Sequence, residues 1–201
     1  MNHTKVLYVH IPKTGGRSIL DFLTKSGLET WVRSSILSHH DPIFKLAEAN
    51  DLSNTFVFSV VRNPFTRAFS HYIHVLHRRR IENKRDITFN EFLHYARCRG
   101  NPFFLEDALE HMPFVINSDQ SFYLHNRQGT LSSISKIYRF ENLAEFENDF
   151  NTVLPRLNVG SYTFNDYLES YTQENINLVK QVYLEDFVLF DYSIHFDDSI
   201  K

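Results

Sequence analysis

The chain has 201 residues, 42% of them hydrophobic and 22% charged, which is ordinary globular composition with enough chain to bury a core. The formal net charge is −3 with histidine neutral, so no global positive field draws in a nucleic acid. The only cysteine, Cys98, excludes an intrachain disulfide and a thiolate zinc cluster and reads as a buried inert thiol. No apolar run nears the length of a membrane span, and the N-terminus enters a strand rather than a signal peptide. The expectation is a cytoplasmic protein forming one domain over residues 1–201.

Residues 5–11 read as a first strand, followed by a helix over 17–25 with Ile19, Leu20 and Leu23 on one face and Gly27 near its end. A short second strand is expected over 30–37. Residues 55–61, rich in Phe and Val and bounded by polar residues and Pro64, suit a buried parallel strand. Phe65, Phe69, Tyr72, Ile73 and Leu76 recur at helical spacing over 65–77. Thr88 and Glu91 form a capping-box pattern that opens a helix to about Arg97. Residues 118–126 read as helix and 134–140 as strand. Asn142 and Glu145 then cap a helix with Phe146, Phe150, Val153 and Leu154 on one face. Thr172 caps a last helix, with Ile176, Val179, Val182 and Tyr183 inward. Strands alternating with helices give an α/β fold: three layers, with a central, mainly parallel sheet flanked by helices.

In such folds ligands bind beyond the carboxyl ends of the strands. Two strand-to-helix junctions carry polar signatures. The first is His10-Ile-Pro-Lys-Thr-Gly-Gly-Arg-Ser18. Gly15 and Gly16 let backbone N–H groups approach a phosphate, the following helix N-terminus adds partial positive charge, and Ser18 offers a hydroxyl. Aligned on Gly16, a nucleotide P-loop would have Lys where Arg17 stands; here the lysine is inside the loop, at Lys13. The second junction is Arg62-Asn-Pro-Phe-Thr-Arg-Ala-Phe-Ser70, whose Arg62 and Ser70 could hold a second phosphate. Together the two imply a ligand with two separate phosphate-like groups.

On these residues the chain resembles the sulfotransferases, in the carbohydrate branch that includes heparan sulfate 2-O-sulfotransferase and chondroitin sulfotransferases. The first junction resembles that family's 5′-phosphosulfate loop, and Arg62 through Tyr72 its 3′-phosphate motif. Asp119-Gln-Ser-Phe-Tyr-Leu124, Ile137-Tyr-Arg-Phe-Glu-Asn-Leu143 and the segment from Val182 to Tyr192 resemble later family pieces. The resemblance implies a P-loop-like fold and 3′-phosphoadenosine 5′-phosphosulfate as donor, with adenosine 3′,5′-bisphosphate as product and no metal. It places Lys13 at the leaving oxygen, where an ammonium stabilises developing charge. It maps Thr14, Gly15, Gly16 and Ser18 onto the 5′ side, Arg62 and Ser70 onto the 3′-phosphate, and Arg139 toward the nucleotide. Arg17 stands where many relatives have Thr or Ser; it either neutralises the phosphosulfate or points outward to an anionic acceptor.

A hydroxyl acceptor, of a carbohydrate by the resemblance, needs a general base, and histidine suits this with an ordinary pKa of about 6.5. In relatives that sulfate sugar hydroxyls the base lies in the segment matching Leu37-Ser-His-His-Asp-Pro42, which assigns His40 with His39 as rival. His39 and Asp41 are placed on the acceptor side; Asp41 also reads as orienting an imidazole or capping the next helix. His10 packs or orders the loop. His71, His74 and His77 read as a polar helix surface rather than a metal face, Arg67 as a surface salt bridge, and Arg78, Arg79 and Arg80 as cations at a helix end. Two rival functions remain: a P-loop kinase using ATP and magnesium, and a non-catalytic binder of nucleotide or glycan. The kinase lacks a Gly-Lys-Ser/Thr ending, and residues 56–61 contain no acidic residue.

Overall fold

A computed structural model of the protein describes residues 5–31, 40–49, 51–97, 119–126, 128–129, 134–157, 160 and 162–197. In chain order the described elements are β1 Lys5–Val9, α1 Gly16–Lys25, β2 Glu29–Trp31, α2 Ile43–Ala49, β3 Phe56–Val61, α3 Pro64–Ile81, α4 Phe89–Arg97 and α5 Gln120–Leu124. Then follow β4 Lys136–Arg139, a 3₁₀ turn Phe140–Asn142, α6 Leu143–Phe150, α7 Phe164–Ser170, α8 Gln173–Val182 and α9 Leu184–Leu189. No described helix is long and apolar enough to cross a membrane. The chain divides into two compact units, residues 1–62 with 120–159, and residues 63–119 with 160–201.

The first unit contains the sheet, whose strand order is β2-β1-β3-β4 with every pairing parallel. The α/β class and parallel sheet read from the sequence therefore stand. The six residues of β3 are all buried, as a central parallel strand covered on both faces requires. Side chains alternate across a strand. Val6, Tyr8, Phe56, Phe58, Val60 and Tyr138 thus share one face, where they pack with Ile19 and Leu23 of α1 and Phe146 of α6. The register pairs Val9 with Ser59 and Val61 with Arg139, which brings the carboxyl ends of β1, β3 and β4 side by side. The Ser59 hydroxyl donates to the Val9 carbonyl at 2.7 Å, tying β3 to β1 beside the last residue before the loop.

The second unit is helical. Asn63 accepts from the Phe65 amide at 2.9 Å and Pro64 supplies the first turn of α3, a start that needs no free proline N–H. Thr88 and Glu91 make the expected box: the Thr88 amide donates to Glu91 at 2.7 Å, and the Glu91 amide to the Thr88 hydroxyl at 3.2 Å. Phe65, Phe69, Phe89, Tyr167 and Tyr171 interlock edge-to-face, and the Tyr171 hydroxyl donates to the Phe65 carbonyl at 2.7 Å.

Several expectations are corrected. β1 ends at Val9, before the loop turns, and α3 runs on to Ile81. Arg67 is no surface residue: it is 1% exposed, faces the fully buried Asp186 at 3.8 Å and lies 5.8 Å from the Tyr183 ring. His71 is buried against Phe92, while His77 is exposed, so that histidine series is not one polar surface. Arg78, Arg79 and Arg80 do stand in the last turn of α3, but Arg79 is fully buried and donates from Nε to the Arg85 carbonyl at 2.8 Å, while Arg80, on the outer side, pairs with Asp86. The Asn142 side chain makes no capping bond, and Val153 lies beyond the end of α6 and is 86% exposed. The buried side of α8 is Asn175, Leu178 and Val179 rather than Ile176 and Val182, and α9 follows it. The expected strand over 30–37 is described only to Trp31. Cys98, His39 and Ser118 lie outside the described residues.

Candidate active site

The loop between β1 and α1 sits at the carboxyl end of the sheet and is held from inside. The Thr14 side chain is buried and donates to the Ile11 carbonyl at 2.9 Å, closing the turn. Tyr8 is completely buried, and that burial raises its phenol far above its usual range. Gly15 has φ of 81°, a left-handed conformation that a residue without a side chain adopts freely, and it ends the loop with no side-chain cap on α1. The first amides of an α-helix have no carbonyl partner within the helix, so α1 presents its positive end here. The Ser18 amide closes onto the Gly15 carbonyl at 3.1 Å, and its buried hydroxyl accepts from the Leu157 amide at 3.3 Å.

Lys13 also has positive φ, 70°. A lysine is held there only when its surroundings impose it. Part of the cause is visible: Arg62 Nη1 donates to the Lys13 carbonyl at 3.2 Å. Burial first, and then the charges of Arg62 and Arg17, lower the Lys13 ammonium from 10.5 to about 8. Three cations are thus gathered at one end of one loop. Arg17 is exposed on the first turn of α1.

Arg62 is the first residue past β3. Its backbone is gripped by the fully buried Gln120, whose Oε1 accepts from the Arg62 amide at 2.8 Å and whose Nε2 donates to the Arg62 carbonyl at 2.9 Å. That side-chain amide meets the Arg62 backbone one residue past the last ladder pair, Val61 with Arg139. The Arg62 guanidinium lies over the Phe140 ring, 4.2 Å from the centroid. Neither Gln120 nor Phe140 was singled out by sequence reasoning, although both lie inside the later motif pieces. Arg139 is exposed at the end of β4. Ser70 belongs to the second unit, buried on α3.

Two histidines close the other side of the loop. His10 is 8% exposed, its ring stacked on Tyr8 at 5.4 Å and tilted against His40 at 4.2 Å. Its Nε2 stands 1.8 Å from where a Cβ on Gly16 would be, so the second glycine of the loop exists to admit this ring. His40 Nδ1 lies 2.9 Å from the His10 carbonyl oxygen. A carbonyl only accepts, so Nδ1 carries the proton in this bond and the neutral ring keeps its lone pair on Nε2. Asp41 is buried next to it in sequence, ahead of α2.

The model of the sulfotransferase family matches residues 1–193, nearly the whole chain. No curated protein and no solved structure matches it.

Proposed function

The chain belongs to the sulfotransferase family, and from that premise we propose that it moves a sulfuryl group from 3′-phosphoadenosine 5′-phosphosulfate to an acceptor hydroxyl of a carbohydrate. The observation that carries the reading is Lys13. It is held inside the loop in a left-handed conformation, beside Arg17 and Arg62, with its ammonium lowered to about 8 by burial and by those charges. Like charges gathered at an uncapped helix N-terminus fit a polyanion, which relieves their repulsion.

The donor supplies an activated sulfuryl group, whose sulfur–oxygen bond to the 5′-phosphate breaks as the acceptor oxygen attacks sulfur in line. Lys13 holds its ammonium at the oxygen that keeps the bond's electron pair, where charge grows in the transition state. Gly15 and Gly16 give backbone approach to the 5′-phosphate. Thr14, whose hydroxyl closes the loop, contributes through its backbone, and Ser18 through its hydroxyl proton. Arg62 takes the 3′-phosphate; Ser70 and Arg139 carry their nucleotide assignments from the family motifs alone. His40 accepts the acceptor's proton on Nε2, the atom left basic by the bond from Nδ1 to the His10 carbonyl. His39 and Asp41 stay assigned to the acceptor, and the exposed Arg17 to either anion at the loop mouth. The protein cations meet the donor's charge, so no metal is required.

Lys13→Ala tests the reading. The variant should keep its melting temperature and lose turnover; retained turnover would remove Lys13 from the leaving oxygen.

A further inference from the structure

Phe140 starts the 3₁₀ turn directly after β4 and is half-buried. Part of its ring packs on the sheet core. Its Cδ2 and Cε2 stand 3.1 Å from where a Cβ on Gly15 would be, so the ring edge fills the space beside that glycine. The ring also lies 4.2 Å from the Arg62 guanidinium, which a ring face attracts through its negative quadrupole. Arg62 returns the contact to the loop by its bond to the Lys13 carbonyl at 3.2 Å. One ring therefore touches the loop and the arginine, and those two touch each other. The circuit encloses both left-handed residues of the loop, Lys13 and Gly15.

We propose that Phe140 is a positioning residue that couples the Lys13–Gly15 turn to Arg62, so that the donor's 5′ and 3′ groups are bound as one event rather than two. The proposal rests on the donor reading above. Its atoms touch no reacting group; it acts by holding a loop and a guanidinium in register. A leucine there keeps apolar bulk against the core and loses the ring face.

The test is a double-mutant cycle of Phe140→Leu and Arg62→Ala, with adenosine 3′,5′-bisphosphate affinity measured by calorimetry and amide hydrogen exchange followed at residues 13–16 in the ligand-free protein. Melting temperatures confirm that each variant folds. Phe140→Leu should weaken the bisphosphate by about threefold to tenfold, the size of a cation–ring contact. With Arg62→Ala already present, it should weaken it by less than about twofold. Exchange at 13–16 should quicken in Phe140→Leu while β1 and β3 keep their protection. Additive losses, or unchanged affinity with unchanged exchange, overturn the coupling. If the unaltered protein does not bind the bisphosphate, the donor reading fails and the exchange result decides this proposal alone: faster exchange supports it, and unchanged exchange overturns it.

Discussion

Replacing Gly16 by alanine puts one methyl group into the most crowded point of the loop. The new Cβ would stand 1.8 Å from Nε2, 2.1 Å from Cδ2 and 2.8 Å from Cε1 of His10, whereas ordinary contact begins at about 3.5 Å. The backbone at Gly16 is helical, so the clash alone sets the effect. The ring must retreat by well over an ångström, yet it is backed by Tyr8 at 5.4 Å and His40 at 4.2 Å. Overpacking of this kind costs about 1–3 kcal/mol. For a chain of this size that lowers the melting temperature by roughly 2–4 °C per kcal/mol, or about 4–8 °C at the middle of the range. Because the displaced ring bears on His40, turnover should fall by on the order of a hundredfold, as for a catalytic group misplaced by about 1 Å. Calorimetric melting of Gly16→Ala, His10→Ala and the double variant separates clash from general damage. The double variant should be more stable than the two single losses predict, because removing the ring makes room for the methyl group. If the losses simply add, or if Gly16→Ala melts like the unaltered protein, the wedge of His10 against Gly16 is wrong.

The ammonium of Lys13 should make turnover per donor pH-dependent: kcat/KM for the donor falls as pH rises through about 8, since only the protonated amine carries the charge. A rate–pH profile that stays level through pH 9.5 would contradict this. His40→Ala should lower kcat by about a hundredfold or more and leave bisphosphate affinity nearly unchanged; the same pattern from His39→Ala with an active His40→Ala would move the base by one residue. Gln120→Ala removes both bonds to the Arg62 backbone and should weaken bisphosphate binding severalfold, with calorimetry as the check. In the second unit, Asp186→Ala leaves Arg67 buried without its carboxylate and should destabilise by about 3–5 kcal/mol, on the order of a 10 °C drop in melting temperature.

Much of the first unit was legible because its signals are local. Apolar runs closed by Gly and Pro marked β1 and β3, and the glycine pair marked the loop that joins β1 to α1. The displaced Lys13 could be read from spacing; its left-handed backbone could not, since part of its cause is Arg62, just past β3, reaching its carbonyl. Long-range partners explain the other misses. Arg67, His71 and Arg79 look like solvent-facing residues of a helix, and only the packing of α9, α4 and the 82–87 turn around α3 buries them. Gln120 is an unremarkable polar residue in sequence, and its function in the fold appears only when its side chain meets the backbone of Arg62, 58 residues away. Thr163 and Asp166 form a full capping box for α7 at the same three-residue spacing as Thr88 and Glu91, so that helix start is legible in the sequence.

The donor is the centre of the account, and ligand-induced stabilisation tests it most directly. Melting is followed with adenosine 3′,5′-bisphosphate and, separately, with ATP and magnesium. At about a hundredfold excess over its dissociation constant the bisphosphate should stabilise the protein by about 2.7 kcal/mol, a rise of roughly 5–11 °C, and this rise should shrink in Arg62→Ala. Stabilisation by ATP–magnesium with none from the bisphosphate would contradict the sulfuryl-transfer reading and return the loop to the kinases.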